Sequence, residues 1–124
     1  MKYILITNND SLLNSSYKNI NVVYKNCSYI EVLLRVRAYI HKGHTILTHP
    51  LSSSLKPNET PFKSILISGS SKGATDAFSV DIIEQAIEAY KKFPQSNKSL
   101  NQKIIDDFKL VDKTVIESAI LNNL

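Results

Sequence analysis

Residues 48–68 carry the densest set of chemically able side chains in this 124-residue chain. Thr48-His49-Pro50 leads into Ser52, Ser53 and Ser54, and Lys56, Glu59 and Lys63 follow before an apolar run at 65–67. An imidazole titrates near neutral pH, so His49 is the candidate catalytic residue, as a general base. Hydroxyls beside ammonium groups suit a small anion, either a carboxylate or a phosphate. Thr7, Asn8 and Asn9 close the first apolar run, and Ser68, Gly69 and Ser70 close the last. The candidate ligand-binding residues are therefore Thr7, Asn8, Asn9, Thr48, His49, Ser52, Ser53, Ser54, Lys56, Lys63 and Ser68. The same residue types also end strands and build turns, so a purely structural role stands beside the binding role.

Other chemistries find little support in the residues. Ser52–Ser54 lack the G-x-S-x-G elbow of a serine nucleophile. Ser68-Gly69-Ser70-Ser71-Lys72-Gly73 follows a strand but lacks the third glycine and the later acidic residue of a dinucleotide site, and it is not a Walker A loop. Three histidines without carboxylates at ligand spacing argue against a metal site. The single cysteine, Cys27, excludes an internal disulfide and precedes a helix start that favours a thiolate; packing as a small apolar residue explains it equally well. No cofactor is expected.

To bring these groups together the chain must fold as one domain, 1–124. Hydrophobic residues make up 43% and charged residues 21%, a globular composition. The 15 Lys and Arg against 11 Asp and Glu give a net charge of +4. These residues are scattered and not gathered with aromatics, so nucleic-acid binding is not expected. The N-terminal apolar run is too short for a signal peptide or a membrane span, which places the protein in the cytoplasm, away from membranes.

Residues 3–7 form a nearly continuous apolar run, the mark of a strand buried on both faces. Residues 11–17 form a short helix or an irregular link, and residues 19–24 read as a second strand. Ser28-Tyr29-Ile30-Glu31 is a capping box that opens a helix over about 29–42, with Gly43 as its left-handed stop. Within it Glu31 and Arg35 stand as an i,i+4 pair. Residues 44–48 and 63–68 read as third and fourth strands, separated by a connection, 49–62, of the length that functional loops have. A second helix starts near Ser79, with Ile83, Ala86, Ile87 and Tyr90 as its stripe, and stops before Pro94. A further capping box at Ser99–Gln102 opens one long helix or two short ones, with Ile104, Phe108, Val111 and Val115 on one face.

This order predicts an α/β fold: a small, mostly parallel, Rossmann-like sheet of about four strands with three or four helices. In such sheets ligands bind beyond the carboxyl ends of the strands, which would gather Thr7, Thr48, Ser68 and their neighbours on one rim.

The stretch THPLSSSLKPNETPFKSILIS, residues 48–68, resembles the GrdX family, as do the opening YILITNN, the SYIEVLLRVRAYIHKGH helix and the IIEQAIEAYKKF helix. Asn58 lies in the family-like K-P-N-E-T-P segment and joins the candidate ligand-binding residues. The resemblance implies a protein encoded beside the glycine, sarcosine and betaine reductases of anaerobic amino-acid fermenters. It implies no catalytic residues, because the family has no established activity. Three functions follow as expectations. The first is an accessory or regulatory protein that binds a small anion or a reductase subunit. The second is a small enzyme acting on an acyl phosphate or amino-acid derivative with His49 as base. The third is a subunit that pairs with itself, as a homo-oligomer, or with another chain through apolar residues of 99–124. Whether the protein is an enzyme stays open at this level.

Overall fold

A computed structural model describes residues 2–52, 55–57, 59–93 and 99–123. Three strands, β1 (Tyr3–Thr7), β2 (Ile20–Tyr24) and β3 (Ser64–Ser68), form one sheet in the order β2-β1-β3. Three helices, α1 (Tyr29–His41), α2 (Ala77–Lys92) and α3 (Gln102–Asn123), cover its two faces. The α/β class holds. The expected four-stranded, mostly parallel sheet does not: β1 and β2 run parallel, whereas β3 runs antiparallel to β1, with Tyr3 opposite Ser68 and Thr7 opposite Ser64.

The missing strand is residues 44–48, which touch β3 through a single antiparallel bridge, Ile46 to Ile67. Its ladder begins with Ser68 N–H donating to Thr45 O at 2.8 Å and Leu47 N–H to Leu66 O at 2.9 Å. Side-chain hydroxyls then take the remaining places. Thr45 N–H donates to Ser68 Oγ, Ile46 N–H to Ser79 Oγ, and Leu66 N–H to Thr48 Oγ1. Hydroxyls that satisfy backbone groups compete with a regular ladder, so the segment stays a bridge. The connection from it returns the chain in the opposite direction, as antiparallel neighbours permit and a parallel pair does not.

Burial on both faces follows from the period-two alternation of side chains. Ile6, Ile65 and Ile67 point to one side and pack with Val32, Leu33, Val36 and Ile40 of α1 and Ile83, Ala86 and Ile87 of α2. Leu5 and Leu66 point to the other and meet Ile116 and Ile120 of α3, with Leu12 and Ile20 beside them. The result is a three-layer arrangement. Residues 8–19 link the parallel strands β1 and β2 with only a 3₁₀ turn, Asp10–Leu12.

Helix boundaries are written locally. The Ser28 hydroxyl accepts from Glu31 N–H at 3.3 Å, and Glu31 Oε1 accepts from the Ser28 hydroxyl at 3.2 Å and reaches its N–H. Glu31 is thus engaged at the cap. Ser28→Ala should cost about 1 kcal/mol, a fall in Tm of roughly 4 °C, read by thermal unfolding. Asp76 caps α2, accepting from Ser79 N–H at 3.1 Å and Ser79 Oγ at 2.6 Å, so the helix starts two residues before the expected Ser79. Those bonds hold the Asp76 carboxyl below its ordinary value. α3 is one continuous helix, and Asn101 caps it by accepting from Ile104 N–H at 2.9 Å. Its expected stripe is rotated: Ile104 and Val111 are over a third exposed, while Ile116 and Ile120 are buried.

Candidate functional site

The antiparallel direction of β3 decides which groups meet. The carboxyl end of β1 lies beside the start of β3, so Thr7, Asn8 and Asn9 join Lys63 and Ser64. Thr48 arrives with the bridging segment, through its hydroxyl's bond from Leu66 N–H at 3.0 Å. Ser68 ends β3 at the far edge of the sheet, opposite Tyr3, where its hydroxyl accepts from Thr45 N–H and donates to Ser70 O. The expected placement of Ser68 on the same rim as Thr7 is thereby corrected. A reversed strand carries its carboxyl end the other way.

The rim is a hydrogen-bonded chain with an unexpected terminus on α3. Asn9 N–H donates to Thr7 Oγ1 at 3.0 Å, and Thr7 Oγ1 lies 2.7 Å from Ser64 Oγ. Ser64 Oγ donates its proton to Asp112 Oδ2 at 2.7 Å, which leaves Thr7 as the donor in the bond between the two hydroxyls. Asn9 Nδ2 donates to the same carboxylate oxygen at 3.0 Å and to Lys109 O at 2.9 Å. Asn9 Oδ1 accepts from the Ser11 N–H and hydroxyl, capping the 3₁₀ turn. Asn8 ties three segments, donating to Cys27 O and Pro61 O while accepting from Lys63 N–H. Thr7, Asn8 and Asn9 are all buried. They hold the rim together.

Beside this chain lies a cavity of about 20 Å³, enough for a water or two. Lys63, Ser64, Thr48 and Tyr29 line it from the sheet side and α1, Ser52, Leu55, Thr60 and Phe62 from the loop, and Phe108, Val111, Asp112 and Val115 from α3. Lys63 is only 6% exposed. Its Nζ donates to Pro50 O and sits 5.6 Å over the Tyr29 ring, which itself stacks on Tyr90. Burial pushes the Lys63 amine below its ordinary value, and the Asp112 carboxylate pulls it part of the way back. Burial pushes the Tyr29 hydroxyl up.

The depressed lysine sets a pH dependence. Between the lowered folded value and the ordinary 10.5, the unfolded chain binds more protons than the folded one, so stability rises with pH. Tyr29 adds the opposite slope above its ordinary 10.0. Denaturant unfolding from neutral pH to about 10 should show stability climbing in the native protein relative to Lys63→Met. Parallel curves for the two proteins would sink this expectation.

Of the other expected site residues, His49 and Lys56 lie apart from the cavity. His49 is exposed, and its Nδ1 accepts from Leu51 N–H at 3.1 Å, closing the turn after Pro50. Lys56 is exposed; its N–H donates to Glu59 Oε1 at 3.0 Å and its Nζ lies 5.7 Å over the Phe93 ring. Ser52 reaches the cavity mouth. Ser53, Ser54 and Asn58 lie outside the described residues. Burial and the Glu31 charge push the Cys27 thiol up, away from the reactive thiolate that a helix start would favour. Among the described residues no group of three or more His, Cys, Asp or Glu could hold a metal ion, and no helix is long and apolar enough to cross a membrane.

Sequence reasoning missed Ser64, Tyr29 and Asp112. A signal for Asp112 was present: it falls four residues after Phe108 and four before Ile116, an acid on the packed side of an amphipathic helix. Such an acid needs a partner.

A family model described as GrdX-like protein matches residues 4–121, nearly the whole chain. No curated protein and no solved structure matches it.

Proposed function

Since this chain belongs to the GrdX-like family, we propose that it is an accessory protein of the glycine, sarcosine and betaine reductase system and works by binding a reductase subunit. The observation that carries this reading is the state of the rim. Of the polar residues best placed for chemistry, Thr7, Asn9 and Ser64 already spend their hydrogen bonds on one another and on Asp112, and Asn8 spends its own on Cys27 O, Pro61 O and Lys63 N–H. A catalytic group needs capacity left for its substrate. The exposed His49, engaged with Leu51 N–H, stands outside the cavity and has no acid or hydroxyl partner of a catalytic set beside it among the described residues. The reading also draws on exposed apolar side chains: Phe78 on α2 is 70% exposed, and Leu110 and Leu121 on α3 are 62% and 82% exposed. Large exposed apolar residues supply contact area for a partner.

The test is direct binding. Each purified reductase subunit is immobilised in turn and presented with this protein, native or carrying Leu110→Lys or Phe78→Lys. Saturable binding to one subunit, weakened at least tenfold by one of the two substitutions, is expected. Absence of binding to every subunit and to the assembled reductase refutes the reading. Gel filtration of the protein alone, checked for a dimer, separates self-association from subunit binding.

A further inference from the structure

β2 forms one edge of the sheet, and its outer side is open. Tyr3 N–H donates to Asn19 O at one end of the β1–β2 ladder, and Lys25 N–H donates to Thr7 O at the other. With the parallel register, those two bonds fix the alternation along β2. The main-chain groups of Asn21 and Val23 turn toward β1, and those of Ile20, Val22 and Tyr24 turn away. Ile20 N–H donates to Tyr17 O at 3.2 Å. The Ile20 carbonyl and both main-chain groups of Val22 and of Tyr24 have no hydrogen-bond partner among the described residues. The opposite edge differs, because residues 44–48 bridge β3 there and Ser79 Oγ accepts from Ile46 N–H.

An open edge is a template for a further strand, and proteins blunt such edges with proline, bulges or lysines. β2 contains no proline and keeps an unbroken register with β1. Its side chains suit a neighbour: Val22 packs against the α3-side core and Val23 against the α1-side core, both half-buried. Charge stands at its two ends. Lys18 precedes the strand by two residues and Lys25 follows it directly, and both are exposed. Arg35 is close enough to the Lys25 end that both act on the Cys27 thiol, while the nearby acid Glu31 is engaged by the Ser28 cap.

These charges select among occupants. In an antiparallel self-pairing about Val22, Lys25 would face Asn19 of a second copy, next to that copy's Lys18, at both ends of the pair. Like charges so placed are destabilising, and each copy already carries a net charge of +4. Carboxylates at the same places would be attracted. We propose that the outer edge of β2 binds an extended segment of a partner chain as an added antiparallel strand, apolar and β-branched in its middle and acidic at both ends. The main-chain groups of Val22 and Tyr24 supply the hydrogen bonds, and Lys18 and Lys25 choose the segment. The five residues of β2 span about 17 Å, so five to seven partner residues, in round numbers about six, fill the edge. The proposal uses neither Phe78 nor Leu110 and does not depend on the reductase contact.

The probe is a blocked seven-residue peptide, alternating valine and threonine in its middle with a glutamate at each end. A second peptide carries lysine in place of both glutamates. Amide hydrogen exchange of the full chain, read residue by residue by NMR, should slow at Val22 and Tyr24 by about tenfold or more with saturating acidic peptide. Asn21 and Val23, already bonded to β1, should change far less. The lysine-ended peptide should bind at least about tenfold more weakly. Changing both Lys18→Glu and Lys25→Glu, at exposed positions outside the ladder's interior, should reverse the preference while circular dichroism shows the fold intact. Unchanged exchange at Val22 and Tyr24 with millimolar acidic peptide overturns the proposal. So does equal binding of the two peptides, or sedimentation of the protein alone as a dimer with those two amides already protected, which would make a second copy the occupant. The reductase contact is read separately with Leu110→Lys and Phe78→Lys, so the two readings fail independently.

Discussion

Asp112→Ala should destabilise the protein by about 3 kcal/mol and lower its Tm by roughly 12 °C. The carboxylate accepts from Ser64 Oγ at 2.7 Å and Asn9 Nδ2 at 3.0 Å, and both donors are buried. Bonds to a charged acceptor contribute more than neutral ones, and a donor left without an acceptor keeps its desolvation cost. The loss spreads further, because Lys63 also loses the counter-charge that supports its ammonium. Asp112→Asn separates the two effects. Its amide oxygen can still accept from Ser64 and Asn9, so only the charge is lost and the cost should fall to about 1 kcal/mol. Equal effects of the Ala and Asn variants, measured by urea unfolding, would show that the charge, not the acceptor, holds α3 to the rim.

Gly43→Ala should cost about 2–3 kcal/mol, a fall in Tm of roughly 10 °C. Gly43 ends α1 at φ +100°, its N–H donating to Ile40 O at 2.9 Å and its carbonyl accepting from Lys72 N–H at 3.0 Å. A Cβ there would overlap Ser71 Oγ, which donates to Lys42 O, and would stand 3.2 Å from Gly73 N. The left-handed backbone accounts for about 1–2 kcal/mol, and the displaced serine bond for the rest. Gly73→Ala is the control. Gly73 also has a positive φ, +78°, but a Cβ there meets nothing within 4 Å, so only the backbone cost of about 1 kcal/mol remains. If the two alanine variants unfold at the same temperature, the packing of α1's end against the 71–74 turn contributes nothing.

These two sites stand at opposite ends of what can be read from the chain. The stop at Gly43 was legible, because a glycine after a helix with His41 and Lys42 in its last turn is a local signal. The capping box at Ser28 was legible for the same reason: the bonds join residues three apart. The strands β1 and β2 and the stripe of α2 follow from apolar spacing within one element. Asp76 was missed as a cap although the signal, an acid three residues before Ser79, was also local.

The rim lies at the other end. Asn9 and Asp112 are 103 residues apart, and Ser64 and Asp112 are 48 apart. Nothing in the spacing of either segment announces the other. The apolar stripe of α3 suggested Ile104 and Val111 as its buried edge, but docking on Leu5 and Leu66 turned the helix toward Ile116 and Ile120 and brought Asp112 to the rim.

By itself the sequence determined the cap and stop of α1, the spans of β1 and β2 to within about a residue, and the burial of β1 between two layers. Those properties depend on contacts between near neighbours and on burial periods that a single segment contains. Only the tertiary structure decided the direction of β3, the collapse of residues 44–48 to one bridge, and the arrival of Lys63 and Asp112 at one cavity. The reason is physical: an Ile-Leu-Ile run buries equally well whether it runs parallel or antiparallel, so its own residues carry no preference. Direction is set by how the connecting segments return the chain to the sheet, while the hydroxyls of Thr48, Ser68 and Ser79 take places that a regular ladder through 44–48 would fill. The groups that meet at the strand ends follow from that direction.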